Sequence, residues 1–96
     1  MQDRYTFFDL GGILMEGYIG EVRLFAGTYA PLNWAFCEGQ VMAIADNMAL
    51  FSILGAQFGG DGRTTFALPK LDPVKSEQGV GVRYIICLNG IYPSRD

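Results

Sequence analysis

Arg83-Tyr84-Ile85-Ile86-Cys87-Leu88 is the stretch on which the reading of the fold turns. Its five consecutive apolar side chains do not alternate with polar ones, the signature of a strand covered on both faces. In a small domain, a second subunit is one candidate for one of those covers. Before this strand, residues 70–81 are polar and carry Pro73, Gly79 and Gly81, so they read as a surface loop. After it, Asn89-Gly90 turns the chain into a short tail. Working further outward, Glu21-Val22-Arg23-Leu24-Phe25 alternates polar and apolar residues, the period-2 mark of a half-buried strand. Pro31 marks a connection by fixing its own φ and pushing Ala30 out of the helical region. Trp34 to Cys37 then forms a second strand, and Val41 to Ile44 returns after Glu38-Gly39-Gln40 as the third, making a hairpin.

Asp46 is a suitable N-cap, and Met48, Leu50, Phe51, Ile53 and Leu54 follow at helical spacings before Gly55. These residues predict one short helix over about 46–55. Its apolar positions exceed a single stripe, which predicts a largely buried helix. Residues 1–16 form an N-terminal arm with an aromatic pair, Phe7-Phe8, and a Gly11-Gly12 break. Packing on a neighbouring subunit and packing as a first strand of the same domain are both open. The fold class is α+β: a small, β-rich single domain with several short strands, one short helix and long Gly-rich loops.

The 96 residues suit one core, and the 50% hydrophobic and 18% charged content excludes a disordered acidic tail. Net charge −3 gives no footprint for a phosphate backbone, so nucleic acid is not an expected partner. The chain has no histidine, which removes the commonest general base, the commonest zinc ligand and the His-activated nucleophiles. No apolar run reaches the roughly 18 residues of a membrane span, and the N-terminus lacks a basic start followed by an apolar run. Membrane insertion and a cleaved secretory signal are therefore not expected.

Cys37 and Cys87 each sit in an apolar run and read as buried thiols. A disulfide is the second reading. A metal site is the weakest, because two thiolates without His leave a zinc shell half empty. Gly59-Gly60-Asp61-Gly62-Arg63 is the most unusual stretch. It lacks the Lys-Ser/Thr pair and following helix of a phosphate loop, since Arg63-Thr64-Thr65 leads into Phe66-Ala67-Leu68-Pro69. The structural reading has the glycines at positive φ and Asp61 accepting from nearby backbone N–H groups, with Arg63 paired to Asp61 or to a carboxylate across the fold. No cofactor, metal or catalytic residue is expected. Glu21, Glu38 and Asp61 are the only acid/base pair candidates considered, and nothing in their spacing brings them together.

Four ordered blocks carry a family pattern: Gly20 to Gly27; Ala30 to Gln40; Asn47 to Gly55; and Phe58 to Pro69 with Gly59-Gly60-Asp61-Gly62-Arg63-Thr64-Thr65 at its centre. Together with the ending Tyr84 to Arg95, they resemble the phage tail collar domain family, which includes short tail fibre collars and microcystin-dependent proteins. The resemblance covers most of residues 17–95 and assigns 17–96 to a collar-like domain. It implies a non-catalytic structural part of a phage tail or phage-like contractile injection particle, placed in the virion tail after assembly in the bacterial cytoplasm. The implied partners are the chain itself, as a homotrimer or other homo-oligomer, and neighbouring fibre, baseplate or tube-end proteins. After Leu68-Pro69 the chain has Lys70-Leu71-Asp72-Pro73-Val74 where longer members continue as Asp-Leu-Arg-Gly-Arg into a distal region. No histidine-held metal site carries over. Phe7, Phe8, Tyr29, Trp34, Phe36, Tyr84 and Tyr92 are the interface candidates. The alternative function is a surface adhesin or carbohydrate-binding module, with exposed aromatic faces beside Asn33, Gln40 and Asp61.

Overall fold

A computed structural model describes residues 15–79 and 81–95. The elements run β1 (Val22–Phe25), β2 (Trp34–Phe36), β3 (Val41–Ala43), α1 (Met48–Leu54), β4 (Thr65–Ala67), β5 (Val74–Lys75) and β6 (Gly81–Cys87). These six strands and one short helix make a small β-rich α+β domain. Strand β6 lies between β1 and β2, and β5 pairs with its beginning; β3 and β4 form a separate two-stranded sheet.

The central position of β6 explains its unbroken apolar run. Antiparallel partners share a face, so Val22, Leu24, Tyr84, Ile86 and Ala35 lie on one side of the sheet, and Arg23, Phe25, Ile85, Phe36, Trp34 and Cys87 on the other. Ile85, Ile86 and Cys87 are all completely buried. The first face meets Leu50 and Leu54 from the helix, Phe66 and Leu68 from β4 and the residue after it, and Ile19 from the segment before β1. The second face holds a cluster of Trp34, Ile85 and Cys87, with Met15, Phe25, Ala30 and Phe36 packed against it. Ile85, Ile86 and Cys87 are therefore buried by side chains of the chain itself, so the unbroken apolar run needs no second subunit to cover it.

Strand β3 does not return on β2. Its partner is β4, in the register Val41↔Ala67, Met42↔Phe66 and Ala43↔Thr65. The reason lies in the turn. The Gln40 side chain donates to the Phe36 carbonyl at 2.9 Å and accepts from the Glu38 N–H at 3.0 Å, while Gly39 N–H reaches Pro69 and Leu68 N–H reaches Gln40. Those bonds hand the chain to the segment around Leu68 and away from β2.

The helix is shorter and more exposed than its sequence predicts. Asn47, not Asp46, occupies the N-cap position, and its side chain makes no cap bond; Nδ2 donates instead to the Ala43 carbonyl at 2.9 Å. Only Leu50 and Leu54 are buried, with Phe51 partly covered and tilted 56° against Phe66 at 5.4 Å between centroids. Met48 and Ile53 face outward, because seven residues resting on a short sheet expose all but one narrow stripe. The polar segment 70–81 holds one short strand, β5, with Val74 opposite Val82. Tyr18 and Ile91 form an isolated parallel bridge that closes the two ends of the described chain on each other.

Candidate functional site

The glycine-rich loop between α1 and β4 is built around one carboxylate. Asp61 Oδ1 accepts from the backbone N–H groups of Arg63, Thr64 and Thr65 at 2.8, 2.8 and 2.9 Å. Thr64 Oγ1 donates to Oδ2 at 2.9 Å, and Asp61 N–H returns a bond to Thr65 Oγ1 at 3.0 Å. Hydrogen bonds to the ionised form hold the Asp61 carboxyl far below the usual carboxylate range, led by the Thr65 N–H. Gly60, at φ +86°, lies so close to β4 that a Cβ there would sit 2.3 Å from Phe66 Cα and 2.6 Å from Phe66 N. The loop thus closes on its own backbone. It is the Arg63 backbone N–H, not the guanidinium, that reaches Asp61, and among the described residues the guanidinium makes no ion pair with any carboxylate.

The other two carboxylates are also engaged. Glu21 Oε2 accepts from Arg23 Nε at 2.8 Å, and its Oε1 accepts from the Tyr18 N–H at 2.9 Å; the Arg23 bond leads in lowering its pKa. Glu38 lies 3.6 Å from Arg83, whose guanidinium stacks on the Phe36 ring at 3.6 Å from its centroid. Each of the three has its own local partner, so the structure does not unite them as an acid/base pair. Among the described residues, no group of three or more Cys, Asp or Glu is placed to hold a metal ion. Cys37 and Cys87 are free, buried thiols; burial pushes Cys37 up to about 11 and also raises Cys87.

The aromatic candidates separate by burial. Trp34 is only 5% exposed and belongs to the core: Nε1 donates to the Met15 carbonyl at 2.8 Å, and the Arg23 guanidinium covers the ring at 4.9 Å from its centroid. That corrects its assignment to an interface; an indole with its N–H satisfied inside its own chain has no free face to offer. Phe36 and Tyr84 are partly buried against the two core clusters. Tyr29 and Tyr92 are exposed, whereas Phe7 and Phe8 lie outside the described residues. Met15 and Glu16, read from sequence as the end of the arm, are held on the domain through their carbonyls by Trp34 and by Arg23 Nη2.

The structure adds outward apolar residues that periodicity alone did not select. Tyr18 and Ile91 are 54% and 50% exposed and lie side by side through their bridge. Tyr92 beside them shares a 2.7 Å hydrogen bond with Ser52 on the helix, whose Met48 lies one turn away, and Ile53 borders Gly20. Tyr18, Ile91 and Tyr92 from the ends of the described chain, and Met48 and Ile53 from α1, are thus exposed apolar residues in the region where those ends meet the helix. Exposed apolar residues grouped in one region are candidates for an interaction site. Of these residues the sequence offers only Tyr92 as an interface candidate; Tyr18 and Ile91 carry no local signal that separates them from core residues.

The adhesin reading requires free polar groups converging beside an exposed aromatic. The Gln40 and Asp61 side chains are both committed to their own backbone. None of the described helices is long and apolar enough to cross a membrane.

No curated protein and no solved structure matches the chain significantly. The model of the Phage Tail Collar Domain matches residues 20–73, from just before β1 through the Asp61 loop and the small sheet to the residue before β5. That span is more than half of the chain, and the protein belongs to the phage tail collar domain family.

Proposed function

We propose that this chain is a non-catalytic building block of a phage tail or phage-like contractile injection particle, acting as a collar or adaptor through self-assembly and contacts with neighbouring fibre, baseplate or tube-end proteins. Its family is that of a structural tail-fibre domain, which gives the coarse role. The observation that carries the finer reading is the group of exposed apolar residues Tyr18, Ile53, Ile91 and Tyr92 around the meeting of the chain ends with α1, outside both core clusters. Burying such surface gains roughly 25 cal/mol per Å2, so two or three copies meeting there have a driving force that an isolated monomer lacks. Closed symmetry, as a trimer or another ring, lets every copy bury the same patch.

Support also comes from how polar groups are used. Asp61 and Gln40 stiffen loops, and Glu21 pairs with Arg23. Such a chain presents shape and apolar contact instead of a reactive centre. Gold labelling of a tagged copy in purified particles from a producing bacterium tests this role. Label on the tail, its fibres or its end is expected; label confined to the cell envelope, with none on particles, overturns it in favour of an adhesin.

A further inference from the structure

The connection between β1 and β2, together with Met15, encloses a groove of about 980 Å3. Its lining, including Met15, Phe25, Tyr29, Ala30, Pro31 and Leu32, contains no charged residue. Tyr29 is 75% and Leu32 63% exposed, yet Met15, Phe25 and Ala30 pack directly on the second core cluster. An apolar occupant would therefore extend that cluster. The side of the sheet facing Ile86 is roofed by a helix and a second sheet, whereas among the described residues the side facing Ile85 has this open loop and its arginine edges.

We propose that the aromatic segment Tyr5-Thr6-Phe7-Phe8 of the same chain fills this groove and completes the roof of the second face in cis. Three observations converge on that occupant. The chain outside the described residues ends at the groove itself, because Met15 is one of its walls and its carbonyl is fixed by Trp34 Nε1 at 2.8 Å. The segment is chemically matched: uncharged and aromatic, with the charged residues Asp3, Arg4 and Asp9 outside it in sequence. Its reach also suffices, since the seven residues from Phe8 to Met15 span up to about 25 Å when extended. Gly11-Gly12 between them permits the reversal that returns Phe7-Phe8 to the loop. Tethering holds the segment at a local concentration on the order of millimolar, which favours it over a second copy or a foreign partner in dilute solution.

The full chain carrying Asp9→Cys and Thr28→Cys, treated with a short bismaleimide and run on a denaturing gel, tests the proposal while leaving both phenylalanines in place. The native thiols are buried, and single-cysteine variants supply the background. A cross-linked product of monomer mass is expected, with a yield unchanged by roughly hundredfold dilution, as an intramolecular contact requires. Adding Phe7→Asp and Phe8→Asp is expected to cut that yield at least several-fold. A product of dimer mass overturns the proposal and assigns the groove to a second copy. A yield no higher than the single-cysteine background, or one indifferent to the Phe substitutions, also overturns it.

Discussion

Replacing Gly60 by alanine tests whether the Asp61 loop is locked by close backbone approach. The added Cβ would stand 2.3 Å from Phe66 Cα, 2.6 Å from Phe66 N and 2.7 Å from the Thr65 carbonyl carbon. None of these atoms can rotate away, because all belong to the backbone of β4. Gly60 also sits at φ +86°, where an L side chain costs about 1–2 kcal/mol. Relieving the overlap requires the loop to move off β4, against the Ala67 N–H to Gly59 O and Gly62 N–H to Thr65 O bonds at 3.1 and 2.8 Å. Overpacking of this kind costs about 1–3 kcal/mol. The two effects sum to about 2–5 kcal/mol, which for a domain of this size lowers Tm by at least about 8 °C. Gly62→Ala is the internal control: it lies in the same loop at φ +75°, but its Cβ would meet only the Ala56 methyl at 3.4 Å. It is expected to show the conformational cost alone. Thermal unfolding followed by circular dichroism reads both variants. A Gly60→Ala protein that melts at or above the Gly62→Ala protein would refute the close-approach reasoning.

Other perturbations follow from the same structure. Phe66→Ala removes a completely buried ring between the helix and the sheet, and urea titration should show a loss of about 3–5 kcal/mol. The Asp61 carboxyl has a folded pKa below its unfolded value of about 3.9, so its stabilisation is present above that value and is lost as pH falls toward the lower one. The wild-type Tm should therefore fall more steeply than that of Asp61→Asn from pH 5 downward, and parallel curves would remove Asp61 from the acid response. Cys37 and Cys87, buried and raised in pKa, should ignore a thiol reagent at pH 8 in the native protein and react fully in denaturant. A Tm lowered by reductant would reveal a bond between them.

Much of the fold was legible because its strongest signals were local. The unbroken run at Tyr84–Leu88 marked a strand covered on both faces, and the alternation at Glu21–Phe25 marked a half-buried one. What sequence could not convey was which distant segment supplies a cover. Residue pattern shows that Ile85 and Ile86 are both buried but not that Trp34 and Leu50 do the burying. The hairpin expected between β2 and β3 failed for the same reason: the short turn suggested a local partner, while the bonds through Gln40 and Leu68 select a strand more than twenty residues away. At the helix start Asp46 and Asn47 are both residues that favour a cap, and the position goes to Asn47 although its side chain bonds the Ala43 carbonyl and caps no N–H, which residue type alone does not convey. In the candidate site, Tyr29 and Tyr92 are exposed, as an interface candidate must be, whereas Trp34 carried the same signal and is core. A large aromatic side chain announces a contact without saying whether it lies inside the chain or across an interface.

The mass of the purified chain in solution, by sedimentation equilibrium across a range of concentrations, tests self-assembly most directly. A stable species of more than one chain, with a trimer as the leading stoichiometry, is the predicted result, and charged substitutions at Tyr18 and Ile91 should dissociate it while leaving the thermal transition cooperative. A well-behaved monomer at every concentration, with a melting temperature raised by added sugar, would contradict self-assembly and favour the adhesin.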